Sequence, residues 1–108
     1  MTNTNYKTIA SKIKFEGRAF IDGKYVDAID GSKFETINPA TGEVLCSVAK
    51  CNSKDVDLAV KVSRKAFDSG VWSRTSPEFR KDILLKFAEL LRKHGVENSV
   101  LESVDTVN

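Results

Sequence analysis

Hydrophobic and polar positions alternate in two short blocks near the start of the chain. Ala19-Phe20-Ile21 and Lys24-Tyr25-Val26 flank Asp22-Gly23, a pair that accepts positive φ at both central positions of a two-residue hairpin turn. Phe34 to Ile37 and Val44 to Val48 form the second block, rich in β-branched and aromatic residues. Between them, Asn38-Pro39-Ala40-Thr41-Gly42 carries the residues turns require. Pro39 presets φ for the second position of a type I turn, Asn38 can bond the backbone two residues on, and Gly42 can take positive φ. The β pattern is over by residue 50.

From there the period lengthens to that of a helix. Val56, Ala59, Val60, Ser63, Ala66 and Phe67 recur at three and four residues and give one small-to-medium apolar face. Ser53 is the expected N-cap, with Asp55 and Asp57 in the first turn and Lys61, Arg64 and Lys65 toward the end, near Gly70. Ser76 caps a second helix with Pro77 at its first position. Its apolar rows are Phe79-Ile83-Phe87-Leu90 and Leu84-Ala88-Leu91. Gly95 interrupts, and Val96, Val100, Leu101 and Val104 predict a last helical segment. Before all of this, Tyr6, Ile9 and Ile13 make residues 1–17 a weakly amphipathic tail or extension helix. The segment has no arginine before Arg18, which argues against a mitochondrial presequence. The predicted class is α+β, with antiparallel strands over about 19–49 followed by two amphipathic helices and a final helical piece.

Composition narrows this picture without changing it. With 108 residues the chain has room for one domain, and 41% hydrophobic with 30% charged residues is ordinary for a globular protein. A net charge of +2 gives no reason to expect nucleic acid. No apolar run approaches the roughly 20 residues of a membrane span, and no secretory signal is evident, so a cytoplasmic location is expected.

Candidate chemistry is sparse. Cys46 and Cys51, with His94 far away in sequence, do not make a metal-ligand set. Cys46 alternates with Val44 and Val48 and reads as a buried structural thiol. Cys51 precedes a helix start, where a thiolate would be favoured, but has no paired base in sight. Trp72 reads as core, His94 as a group at a helix C-terminus, and Arg80, Lys81, Lys86, Arg92 and Lys93 as a solvated helix face. No Gly-x-Gly-x-x-Gly follows a strand, and no glycine-rich phosphate loop occurs.

Phe34-Glu35-Thr36 followed by Asn38-Pro39-Ala40-Thr41-Gly42-Glu43 resembles the N-terminal signature of the aldehyde dehydrogenase superfamily. Phe20 to Val26, Asp55-Val56-Asp57 through Ala66-Phe67, Gly70 to Ser73, Arg80 and Leu101 to Thr106 resemble further family elements in the same order, over roughly residues 18 to 106. Phe67 to Ser73, Ser76-Pro77 and Leu101 to Thr106 look most similar to the group acting on γ-glutamylaminobutyraldehyde and related amino-aldehydes.

The resemblance implies that residues 18–108 are the N-terminal piece of an aldehyde dehydrogenase cofactor-binding domain. The complete family enzyme oxidises an aldehyde to a carboxylate with NAD or NADP, and its cysteine nucleophile, glutamate base and dinucleotide core lie downstream of the matched region. The family would continue Asp105-Thr106 into a Gly-Lys-Pro turn where this chain has Val107-Asn108, so a truncated segment is expected, inactive alone and binding no cofactor by itself. The resemblance also implies an incomplete monovalent-cation site at Thr36, Ile37 and Asp105. The same residues fit equally well as ladder positions and a helix-end carboxylate. Aldehyde substrate is expected only in a complete enzyme, and association with the remainder of the enzyme or a full-length relative is the expected partnership. The alternative is a non-catalytic interaction protein that docks on a full-length relative.

Overall fold

The computed structural model describes residues 5–106. Its elements run α1 (Tyr6–Lys12), β1 (Ala19–Ile21), β2 (Lys24–Val26), β3 (Lys33–Ile37), β4 (Val44–Ala49), α2 (Ser53–Ser69), α3 (Pro77–Lys93) and α4 (Gly95–Asp105). The arrangement is α+β, with strands first and long helices after them, as the periodicity predicts.

The strands form two separate antiparallel pairs, β1 with β2 and β3 with β4. Asp22 at φ 57° and Gly23 at φ 74° close the first, the primed turn that the Asp-Gly pair favours. In the second, the Ala40 N–H donates to Asn38 Oδ1 at 2.9 Å, and Gly42 takes φ 76°. The Asn38 N–H donates to the Glu43 carbonyl and the Gly42 N–H to the Asn38 carbonyl, each at 2.8 Å, and these bonds complete the loop.

The β3–β4 ladder pairs Thr36 with Cys46 but Ile37 with Val44, so Leu45 is left over as a bulge. This corrects the expectation for Cys46. The extra residue breaks the period of two, Leu45 and Cys46 are both half-buried, Val44 is exposed, and the thiol is not a core group. Gly17 reinforces β4 from outside the ladder by accepting the Ala49 N–H at 2.7 Å.

The start of α2 is also corrected. Its N-cap is Asn52, whose Oδ1 accepts from the Lys54 N–H at 2.9 Å, while Asp55 Oδ2 accepts from the Asn52 N–H at 2.9 Å. This is a capping box, one residue earlier than the cap expected at Ser53. The last turn of α2 contains no base; Arg64 instead pairs with Asp68, 3.2 Å away. Gly70 ends the helix in the left-handed region at φ 75°.

Ser76 caps α3 as expected, its Oγ accepting from the Phe79 N–H at 3.1 Å, with Pro77 in the first turn. His94 ends α3 and begins α4. Two further expectations change here. Arg80 is half-buried, its guanidinium donating to the Thr75 carbonyl, so it holds the α2–α3 loop and does not belong to the solvated face. Trp72 is 43% exposed, stacked at a tilt on Phe79 with centroids 6.4 Å apart, and is not core.

What core there is lies in two small places. Ala28 is buried beside the start of α2, and Val100 is buried where α1 packs on α4. These are the only buried apolar side chains among the described residues. The molecule is a slab of 46 × 43 × 20 Å with a radius of gyration of 17.8 Å. A compact chain of this length would have a radius of about 13 Å.

Candidate functional site

Two of the three residues singled out for a cation are brought together from opposite ends of the fold. Thr36 sits near the end of β3, and Asp105 is the last residue of α4. The Thr36 hydroxyl donates to Asp105 Oδ1 at 3.1 Å, across 69 residues of sequence. Ile37 is the next residue along β3, opposite Val44 and beside the turn that opens at Asn38.

The electrostatics of this corner favour a cation. The C-terminus of a helix exposes carbonyl oxygens that carry a partial negative charge, and Asp105 adds a full carboxylate at the same point. A hydroxyl, backbone carbonyls and a carboxylate are hard oxygen donors, suited to a hard monovalent ion and poorly suited to a soft metal. Among the described residues there is no cluster of three or more His, Cys, Asp or Glu side chains able to hold a metal ion.

Neither cysteine is placed for nucleophilic chemistry. Cys51 is exposed, but its thiol is pushed above the ordinary range by partial desolvation and by the neighbouring carboxylates of Asp55 and Asp30. This reverses the expectation that its position before a helix would favour the thiolate, because desolvation and then the two carboxylates push the thiol upward. Asp30 in turn is held below the usual carboxylate range, first by the backbone N–H of Ser32, which donates to its Oδ1 at 2.8 Å. The single imidazole, His94, lies at the α3–α4 junction with Nδ1 3.6 Å from Glu97.

One residue acquires a role that its sequence position concealed. Asp55 is 3% exposed, and its two oxygens are divided between two segments. Oδ2 takes the Asn52 N–H, and Oδ1 takes the Ile29 N–H at 2.8 Å, so the carboxylate clasps the loop after β2 to the start of α2. The Asn52-x-x-Asp55 spacing was the signal for it. Placing the cap at Ser53 hid the box, since the residue three further on is then Val56.

The described surface also holds shallow cavities. One, of about 560 Å³, lies between α1 and α4 and is lined by Ile9, Ile13, Val96 and Leu101 with Lys12 and Lys93 at its rim. Another, of about 230 Å³, lies under the β1–β2 hairpin against Asp55, Leu58 and Val62. Neither includes Thr36, Asp105 or a cysteine.

The sequence model of the aldehyde dehydrogenase family matches residues 25–107. The chain belongs to the aldehyde dehydrogenase family. It is 54% identical over 104 residues to "Aldehyde dehydrogenase 1" of Tanacetum cinerariifolium, covering 96% of this chain and 21% of that protein. Among solved structures it is similar to an indole-3-acetaldehyde dehydrogenase of P. syringae in complex with NAD+, with 42% identity and a TM-score of 0.88 over 92% of this chain and 20% of that one. The γ-glutamyl-γ-aminobutyraldehyde dehydrogenase of Burkholderia cenocepacia gives 44% identity and a TM-score of 0.88 over the same shares.

The chain therefore spans about a fifth of the length of the aldehyde dehydrogenases it matches, and the match lies in their N-terminal segment. Family members of full length bind NAD+, as the P. syringae complex records. The described residues here do not form a dinucleotide crevice. Both sheets are two-stranded and antiparallel, whereas such a crevice opens at the strand ends of a parallel α/β sheet.

Proposed function

We propose that this chain serves as the N-terminal segment of an NAD(P)-dependent aldehyde dehydrogenase, contributing scaffold and part of a cation site while the catalytic groups come from elsewhere. The observation that carries this reading is the match over residues 25–107 at a fifth of the relatives' length. In the complete enzyme the reaction is oxidation of an aldehyde to a carboxylate. Amino-aldehydes of the γ-glutamylaminobutyraldehyde type are the proposed substrate class, supported by the Burkholderia neighbour. NAD or NADP supplies the hydride acceptor there, bound by residues outside this segment.

Thr36, Ile37 and Asp105 are the proposed contribution to a monovalent-cation site, completed by further oxygen donors in the assembled enzyme; the Thr36–Asp105 bond supports it. Residues 18–108 form the domain segment and residues 1–17 an extension, whose α1 rests on α4. A cytoplasmic location is supported by the two unpaired cysteines, which suit a reducing compartment.

Inactivity of the isolated chain rests on its inventory of groups. Aldehyde oxidation needs an activated nucleophile, an oxyanion donor, a base and a cofactor within hydride reach. The Cys51 thiol is pushed upward by desolvation and by the carboxylates of Asp55 and Asp30, and Cys46 is half-buried in a strand. The test is to purify the 108-residue chain, follow NADH formation with several aldehydes, and titrate NAD and then K+ by calorimetry. No turnover, no NAD binding and no K+ binding are expected from the chain alone. Turnover that survives Cys46→Ser and disappears with Cys51→Ser would overturn the reading.

A further inference from the structure

We infer that the groove between α1 and α4 is a binding site for a fatty carboxylate, whose tail lies on Ile9, Ile13, Val96 and Leu101 and whose head group is held by Lys12, Lys14 and Lys93. The groove contains neither cysteine nor any of Thr36, Ile37 and Asp105, so the inference stands apart from the reading of the chain as a dehydrogenase segment.

The first argument is shape. The cavity of about 560 Å³ falls inside the roughly 300–1,000 Å³ of small-molecule sites, which form readily between packed helices. On one wall, Ile9 and Ile13 stand one helical turn apart and are both half-buried. The α4 wall is more open, with Val96 49% and Leu101 39% exposed. An unbranched hydrocarbon laid between the walls takes apolar surface out of water on both sides.

The second argument is charge. Lys12 closes α1, Lys14 follows it in the chain, and Lys93 is the last residue of α3, so three segments bring ammonium groups to one rim. Among the described residues none of the three lysines makes an ion pair. Bases elsewhere are matched, Arg18 with Glu16 at 2.6 Å and Arg64 with Asp68 at 3.2 Å. Glu97 is the one carboxylate lining the groove, and its Oε2 is drawn to within 3.6 Å of His94 Nδ1. The rim is therefore positive over an apolar floor.

That combination selects the ligand. A cation on the same tail is repelled by the rim, an alcohol leaves the lysines without a counter-charge, and a small anion leaves the floor wet. A bilayer lipid could reach the lysines with its head group, but its tails stay in the membrane and the floor stays empty. A free fatty carboxylate satisfies both rim and floor.

The open faces of α2 and α3 could also take up an amphiphile, so the experiment resolves position. Dodecanoate carrying a photoreactive diazirine at its tail end is irradiated with the 108-residue chain, below the micelle concentration, and the labelled peptides are mapped by mass spectrometry. Label is expected on α1 and α4, displaced by plain dodecanoate and not by dodecanol or dodecyltrimethylammonium at the same concentration. Calorimetry with dodecanoate should show affinity falling as salt rises. Lys12→Gln and Lys93→Gln should each weaken binding about threefold and together about tenfold, while Lys61→Gln on α2 leaves it unchanged. Leu101→Ser should weaken it roughly tenfold, with far-UV circular dichroism checking that α4 persists. Should Leu101→Ser unfold the helix, the exposed lysine variants decide alone. The inference is overturned if the label spreads over α2 and α3, if dodecyltrimethylammonium competes as well as dodecanoate, or if the double lysine variant binds like the parent. Binding to phosphatidylglycerol vesicles without labelling by free dodecanoate overturns it in favour of a membrane surface.

Discussion

Asp55 shows how much a single side chain can hold in a protein with little core. Two backbone N–H groups from different segments end on its two oxygens, and the carboxylate itself is buried. Asp55→Ala removes an N-terminal capping interaction and strands a part-buried N–H, which together cost about 2 kcal/mol. Urea unfolding followed by circular dichroism should show that loss, and hydrogen exchange should show faster exchange at Ile29 and Asn52. Asp57→Ala, at an exposed position in the same helix, should change stability by less than about 0.5 kcal/mol. Cys51 gives a pH-dependent counterpart. Its raised pKa means that at any given pH the thiolate fraction is smaller than in a free thiol, so alkylation should be slow at neutral pH and rise only at higher pH. Asp30→Asn removes one of the raising charges and should move the alkylation profile to lower pH, as mass spectrometry of iodoacetamide labelling would reveal. An unchanged profile would show that Asp30 does not act on the thiol.

At the scale of elements, two glycines with opposite environments test what the backbone requires. A Cβ on Gly17 would lie 2.0 Å from the Ser47 carbonyl oxygen, so Gly17→Ala forces the segment before β1 away from β4 and breaks the Ala49 N–H bond to the Gly17 carbonyl. A Cβ on Gly95 meets nothing within 4 Å, and its φ is ordinary for a helix start. Gly95→Ala should therefore stabilise α4 by up to about 1 kcal/mol, while Gly17→Ala destabilises by more than that. Thermal melts of the two variants should move in opposite directions. Element identity was legible in the residues because local chemistry decides it: Asp22-Gly23 for the primed turn, Asn38 to Gly42 for the longer one, Ser76-Pro77 for the start of α3. The errors fell where one residue of register mattered. Leu45 bulges because the Asn38–Gly42 loop sets where β4 rejoins β3, and the cap of α2 moved to Asn52 because Asp55 is drawn toward Ile29 as well.

At the scale of the whole molecule, the expected behaviour of the isolated chain follows from its uncovered helices. It should bind a hydrophobic dye such as ANS strongly and associate as concentration rises. A chain that stays monomeric, binds no dye and has a scattering radius near 13 Å would show that it buries its faces unaided. The sequence by itself determined the order and type of the elements, the turns and the family, and through the family resemblance marked Thr36, Ile37 and Asp105 as candidates, because each of these depends on local residue chemistry or on a motif kept in register. Only the tertiary structure decided that Thr36 and Asp105 are in fact in contact, that Asp55 is a buried clasp, that the Cys51 thiol is pushed upward by desolvation and two carboxylates, and that Trp72 and the helix faces lie open. Those outcomes depend on which surfaces meet, and periodicity marks a face as apolar without saying whether anything within the chain is there to cover it.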